Sequence, residues 1–375
     1  ISRRNELGEN SAFEYDLSGR LLATTDPAGN RWESAYDAAG RKVSDKDPLS
    51  RVFLYSYDNL DRLIKTQKPD NTTIQNIYDT VGNLLKTIDS LGASWTWQYD
   101  ELDRQIKSIR PDAASSTTSY DAAGQIISET DTLGRTTRIT FDVAGRRTKV
   151  TDPAGAIWKY AYDKAGRLVS TIDPTGSTWK ITYDLMDRIV SECDPLYNVT
   201  RYEYDLSGRK TSVINPLSQK TQYAYDTRGR LISETDAQGN TVSYTYDEAG
   251  RRISLSDGEN RTWQWEYDSL GRVIAEIDPF GARAAFSYDA VGNRVSTVNA
   301  REGETRYTFN SMNRLEKVIY PNGSVATFSY NAEGMELSRS SKNGSVIKKW
   351  SVTGDLLSEE FGPYSKSWKY QYDKA

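Results

Sequence analysis

The sequence predicts an all-β protein, a continuous antiparallel sheet of 21-residue β-hairpin repeats, on three observations. A Tyr-Asp pair recurs every 21 residues, two turn signatures alternate within each interval, and no stretch of 11 residues or more repeats its apolar residues at a helical period. Tyr-Asp begins at positions 15, 36, 57, 78, 99, 120, 162, 183, 204, 225, 246, 267 and 288, with Phe141-Asp142, Phe309-Asn310 and Tyr330-Asn331 in the remaining places. From Tyr15 to Tyr330 nothing is inserted or deleted. The register then slips, Trp350 taking the next aromatic place before Tyr372-Asp373 restores the period. Spacing this strict means that each unit meets its neighbours in the same way.

The first turn follows the aromatic. Four residues on stands a residue type that tolerates positive φ: Gly19, Gly40, Asp61, Gly82, Asp103, Gly124, Gly145, Gly166, Asp187, Gly208, Gly229, Gly250, Gly271 and Gly292, then Asn313 and Gly334. Arg follows it in most units, as in Gly19-Arg20 and Gly166-Arg167. The second turn lies half a unit on, as in Asp26-Pro27-Ala28-Gly29 and Asp173-Pro174-Thr175-Gly176. There the Asp side chain caps the turn, Pro presets φ, and Gly takes the left-handed place. Two turns of about four residues leave roughly 13 of the 21 for two short strands. The run Arg167 to Ile172 reads as the return strand, and Ser177 to Tyr183, with Trp179, Ile181 and Tyr183 alternating, as the outgoing one.

Aromatic residues of the outgoing strand fall at the Tyr, two before it and four before it. Trp32, Trp95, Trp158, Trp179, Trp263 and Trp368 sit four before, Trp97 and Trp265 two before, and Trp350 replaces a Tyr. Side chains alternate along a strand, so these rings share one face. As structure, the stripe reads as a ladder of cross-strand aromatic pairs; as function, its rings could grip an unfolded cargo or stack on sugars. Because 21 is odd, equal turns would send the Tyr to alternate faces, so one turn is expected to differ from the other by one residue, through a Gly bulge.

Composition narrows the function. The 375 residues are 37% hydrophobic with a mean hydropathy of -0.70, yet 25 Tyr and 9 Trp are too many for a disordered chain. The 48 basic and 52 acidic residues are mixed along the whole length, which gives no electrostatic case for nucleic acid or an anionic membrane. Histidine is absent, and Cys193 is the one cysteine, so the commonest general base and any thiolate metal cage are missing. No apolar run is long enough to span a membrane, and the N-terminal residues lack the apolar core of a signal peptide. The repeated Asp residues sit where turn chemistry wants them, so the reading is non-enzymatic, with no cofactor and no metal.

The segment Tyr162-Asp163-Lys164-Ala165-Gly166-Arg167-Leu168 through Asp173-Pro174-Thr175-Gly176 resembles the unit of the RHS or YD-repeat proteins, and the resemblance covers essentially the whole chain. It implies a strip of hairpins that spirals into a shell or cocoon wall, as in bacterial polymorphic toxins, insecticidal toxin-complex subunits and teneurins, the bacterial shells enclosing a C-terminal toxic domain. The family's C-terminal core segment, with its aspartyl self-cleavage site, is not found, nor is a delivery or toxin domain. Both ends fall inside a repeat, so residues 1–375 are expected to be a single array belonging to a larger polypeptide. About 35 strands at roughly 4.8 Å each would make a strip about 160 Å wide, too wide to stay flat. The expected function is a structural wall that sequesters a polypeptide cargo, a C-terminal toxin domain above all. The expected partners are that cargo and the rest of the parent polypeptide, and the expected location is outside the producing cell or on its surface. The alternative is an extracellular adhesion or carbohydrate-binding module using the aromatic face or the outer surface.

Overall fold

The computed structural model describes residues 1–301, 303–362 and 366–372; Asp373 and Ala375, used in reading the last repeat, lie outside the described residues. Its 36 strands, with no helix among the described residues, form one antiparallel sheet. The chain makes two compact units, one of Ile1–Ser115 with the stretch from Trp265 onward, the other of Ser116–Gln264.

The second unit shows the repeat in its regular form. The outgoing strand Ile157–Tyr162 is followed by the first turn, the return strand Leu168–Ile172, the second turn and the next outgoing strand, Thr178–Tyr183. Each strand pairs antiparallel with the one before it and the one after it, as Leu168–Ile172 does with Ile157–Tyr162 and Thr178–Tyr183.

The two turns close identically, which corrects the expectation that they differ by one residue. At the first, the Gly166 amide donates to the Asp163 carbonyl and the Asp163 amide to the Arg167 carbonyl; at the second, Gly176 donates to Asp173 and Asp173 to Ser177. The extra residue sits in the return strand instead, and it is not a glycine. Ala161 pairs with Ser170 but Tyr162 pairs with Leu168, so Val169 is left over as a β-bulge. The same shift recurs beside Tyr15, Tyr36, Tyr57, Tyr99, Tyr183, Tyr204, Tyr225, Tyr246 and Tyr288. A bulge absorbs one residue without reversing the strand, and this one keeps the aromatic positions of every unit on one face although the period is odd.

The first unit has the same repeat and two additions. Near its C-terminal end Ser341 pairs with Gly344, so a two-residue loop replaces the second turn between the strands Glu336–Ser341 and Gly344–Trp350, which accounts for the slipped register. In addition, early Asp-Pro-type turns meet late Tyr-Asp-type turns. Arg51 donates to Asn313, the Ser90 amide donates to Glu333 Oε1 at 3.2 Å, and Arg110 Nη2 lies 3.8 Å from Asp355 Oδ2. The first two contacts join residues 262 and 243 apart in sequence, about twelve repeats.

A single layer leaves almost nothing to bury. Among the described residues only Ala23, Ala93, Ala114, Ser212, Ala275, Val318 and Ala326 are buried. The accessible surface is 22984 Å², against about 15,000 Å² for a compact monomer of this mass.

Every first-turn position from residue 19 to 292 has positive φ, Gly166 at 88° and Asp187 at 62° among them. Four of the sixteen first-turn sites are not Gly, and each of the four receives a side-chain bond from the residue 20 places earlier: Arg41 to Asp61, Asn83 to Asp103, Arg167 to Asp187 and Asn293 to Asn313. The acceptor side chain offsets the strain of a Cβ in the left-handed region. Two substitutions therefore separate. Gly166→Val is expected to lower local stability by about 1–3 kcal/mol, while Asp187→Gly, trading strain for a lost bond, changes it by no more than about 1 kcal/mol. Amide hydrogen exchange across residues 162–193 measures both; equal losses would contradict the assignment.

Candidate functional site

One constellation recurs along the Tyr-Asp edge, and Arg167 shows it in full. Oδ1 of Asp163 accepts from the amides of Ala165 and Arg167, and Oδ2 accepts from Arg167 Nε at 2.7 Å. The other side of the guanidinium crosses to the next hairpin: Nη1 donates to the Asp184 carbonyl at 3.0 Å and to Asp187 Oδ1 at 2.6 Å. Its plane lies over the Tyr183 ring, 4.8 Å from the centroid. Tyr183 then returns the contact, its hydroxyl donating to the Leu168 carbonyl at 2.9 Å. The phenol-to-carbonyl bond repeats at Tyr36, Tyr57, Tyr78, Tyr99, Tyr162, Tyr204, Tyr225, Tyr246, Tyr288 and Tyr330, and Trp350 Nε1 makes the equivalent bond to Glu336. The Arg-over-Tyr stack repeats with Arg20, Arg41, Arg62, Arg146, Arg188, Arg209, Arg230 and Arg272.

This arrangement escaped the sequence reading, which noted only that Arg follows the first turn in most units. The signal was present: the Tyr of each unit lies 16 residues after the Arg of the unit before, as Tyr183 does after Arg167. Amide bonds from Arg167, then its guanidinium, hold the Asp163 carboxyl below the usual carboxylate range. The Asp163 carboxylate in turn raises Arg167 further. These carboxylates are engaged by turn amides and guanidinium, which leaves them poor general acids or bases.

The aromatic face differs from the expected ladder of ring pairs. Each outgoing strand is flanked by return strands, so Trp32 pairs with Thr24, Trp95 with Thr87, Trp97 with Ser108, Trp158 with Val150, Trp179 with Thr171, Trp263 with Leu255 and Trp368 with Glu359. Ring meets ring at Phe361 and Trp368, edge to face at 5.3 Å. Cations also cover rings of this face: Arg147 lies over Tyr160, Lys210 over Tyr202 and Arg294 over Phe286. Trp32, Trp179 and Trp368 are exposed, and Trp95, Trp97, Trp158, Trp263 and Trp265 half-buried. Acids on this face serve the tyrosines. Asp45 accepts from Tyr55 and Ser34, and partial burial with that bond pushes the Tyr55 phenol up to about 12; Glu192 does the same for Tyr202.

The opposite face carries small hydroxyls paired across strands, as in Thr182 with Ser191 and Thr245 with Ser254. Cys193 borders a hollow of about 390 Å³ between two Asp-Pro turns, with Lys180 and Asp194 beside it. Asp194 is committed to the amides of Leu196 and Asn198. No group of three or more His, Cys, Asp or Glu placed to hold a metal ion occurs among the described residues, and no helix there is long and apolar enough to cross a membrane.

Comparison with known proteins places this geometry. The family described as Teneurin YD-shell matches residues 115–265 and 194–375, and the RHS Repeat family matches 15–49, 36–73 and 78–115. No curated protein sequence matches the chain. Among solved structures, the crystal structure of TcdB2-TccC3-TEV aligns with 100% of this chain and 25% of its own at 15% identity and a TM-score of 0.82. That of TcdB2-TccC3 aligns with 98% and 25% at 15% identity and 0.80. A Photorhabdus luminescens Tc holotoxin pore aligns with 94% and 26% at 13% identity and 0.56. The chain thus spans about a quarter of these structures' length.

The depressed carboxylates set an acid limit. A group whose folded pKa lies below its unfolded value contributes stability that is present above the unfolded value and lost as pH falls through the folded one. Asp37, Asp142, Asp163, Asp205 and Asp226 all lie below the ordinary 3.8. The thermal midpoint is expected to be level from about pH 5 to 8 and to fall once pH drops below about 4. A midpoint unchanged down to about pH 2 would show that the turn carboxylates contribute nothing to folding.

Proposed function

Since the chain belongs to the Teneurin YD-shell family and carries RHS repeats along its N-terminal part, we propose that it is a stretch of shell wall that sequesters a polypeptide cargo by enclosure, outside the cell that makes it. The observation that carries this reading is the uniformity of the sheet. Strand follows strand in antiparallel pairing, the Tyr-to-carbonyl latch between neighbouring hairpins recurs along the array, and the turn carboxylates are engaged by turn amides and guanidinium groups. A layer built this way works as a partition, and a partition acts through its extent. The likeness in fold to the TcdB2-TccC3 structures and to a Tc holotoxin pore supports a toxin domain as the cargo and the rest of the parent polypeptide as the remaining wall. A second reading, stacking of sugar rings, rests on the exposed Trp32, Trp179 and Trp368; Trp32 and Trp179 face Thr24 and Thr171 across the strands, and Trp368 packs on Phe361, so the three do not form a row.

Protease resistance of the cargo domain within the complete protein tests the proposal. Substituting one polar residue on either face is expected to leave protection intact. Deleting residues 162–182 is expected to reduce it, and deleting half of that unit to abolish it, because an odd number of strands reverses chain direction for everything that follows. A single Asp or Arg substitution that abolishes a measurable activity while the sheet stays folded would overturn the passive wall and point to an active site.

A further inference from the structure

Charges that are mixed along the sequence are sorted by face in the sheet. On the face opposite the aromatic one, the second unit carries Arg138, Lys149, Lys159, Lys180 and Arg201, on the strands Thr136–Phe141, Arg147–Thr151, Ile157–Tyr162, Thr178–Tyr183 and Val199–Tyr204. Register sets them side by side: Arg138 pairs with Ser128, Lys159 with Lys149, Lys180 with Ser170 and Arg201 with Ser191. Trp158 and Tyr160, on either side of Lys159, point the other way. No Asp or Glu stands on this face of the strands from Thr136 to Arg201; the strand acid of that stretch, Glu192, is on the aromatic face with Tyr202.

The row has no internal partners. Among the described residues none of the five holds an acid, whereas on the same face of other outgoing strands Arg31 holds Glu14, Lys220 holds Glu203 and Arg283 holds Glu266. Lys149 and Lys159 stand directly opposite each other, a like-charge pairing that costs a sheet stability. Arg138, Lys159, Lys180 and Arg201 are exposed, and the outgoing strands that carry them lie two strand widths apart, about 10 Å. Hydroxyls stand between them, Ser170, Thr182 and Ser191 among these. Lys180 also borders the hollow of about 390 Å³ with Thr175, Ser177 and Thr178, where the Asp194 carboxylate is engaged by turn amides. The first unit has a shorter row on this face, the half-buried Lys65, Lys86 and Lys107.

We propose that the row from Arg138 to Arg201 binds an acidic polysaccharide, laid across the strands, whose sulfate or carboxylate groups recur at regular intervals. A chain with one anionic group per disaccharide repeats its charge in step with the outgoing strands, because a sugar ring is about as long as a strand is wide, and the Ser and Thr hydroxyls meet those of the sugar. An extended acidic peptide presents its same-side carboxylates about 7 Å apart, out of step with the row. Single-stranded nucleic acid is held by aromatic rings interleaved with cations, and here the rings are on the other face. Further wall does not cover the row. Separate stretches of sheet meet turn to turn in the first unit, Arg51 on Asn313 and the Ser90 amide on Glu333, so more repeats add strands beside the sheet or turns against its turns, and neither covers a face.

Fluorescence anisotropy of a labelled, size-defined heparin oligosaccharide titrated with the 375-residue chain tests this. Affinity is expected to fall as salt rises from about 50 to about 200 mM, because binding releases counterions. Lys159→Gln with Lys180→Gln is expected to weaken binding by about tenfold or more and to flatten that salt dependence, with amide exchange of the sheet unchanged. Arg147→Gln with Lys210→Gln removes the same charge from the aromatic face and is expected to leave the affinity as it was. No binding at about 100 μM protein, equal losses from the two pairs of substitutions, or tighter binding of polyglutamate or single-stranded DNA than of the oligosaccharide would each overturn the proposal. So would loss of binding in the complete protein, since cargo or parent polypeptide would then cover the row.

Discussion

A guanidinium that follows most of the Tyr-Asp turns, that of Arg167 among them, holds three partners at once: the carboxylate of its own turn, the backbone carbonyl of the next turn, and the face of the next tyrosine. The rest of the fold depends on that bridge. A sheet of one layer has no second layer to pack against, and backbone hydrogen bonds alone tolerate a range of twist and splay between neighbouring hairpins. Arg167 and Tyr183 tie the outer end of each hairpin at a fixed distance from the next, and the Tyr183 hydroxyl closes the loop on the Leu168 carbonyl. The bond is local, and it repeats.

Repetition sets the energetics. Each exposed or half-exposed ion pair contributes about 0–1 kcal/mol and each cation–π contact about 0.5–1 kcal/mol, so no single unit is decisive. Stability accumulates as a sum of unit terms and nearest-neighbour terms. The same logic makes a wall tolerant of point changes and intolerant of changes in strand number. The two edges differ in this respect. The Tyr-Asp edge is latched hairpin to hairpin, whereas the Asp-Pro edge satisfies its turns locally, Asn198 bonding Asp194 and Asn240 bonding Asp236. Arg51 does both, bonding Asp47 in its own turn and Asn313 of a Tyr-Asp-type turn.

Much of this was legible from residue order alone. The period, both turns and the strands were readable because turn chemistry is local: Asp caps, Gly or Asp at positive φ, and alternation between them. The return strand expected over Arg167–Ile172 is found at Leu168–Ile172, and the outgoing strand expected over Ser177–Tyr183 at Thr178–Tyr183. Odd parity demanded one extra residue, but its place was hidden, because Val169 reads as an ordinary strand residue and a bulge there needs no glycine. The aromatic stripe was visible, whereas its partners were not. Which residue faces Trp179 depends on register, and register puts Thr171 there. The Arg167 bridge left a trace in the constant spacing of Arg167 and Tyr183, but that the two meet follows from strand pairing.

The bridge itself is open to direct test. A double-substitution cycle of Arg167→Ala and Tyr183→Leu, read from amide hydrogen exchange of residues 168–183, measures their coupling without assuming that the array unfolds in one step. The account predicts that the two losses are not additive, with a coupling of about 0.5–1.5 kcal/mol. Additive losses within about 0.3 kcal/mol would mean that the hairpins are held by backbone pairing alone, and would contradict it.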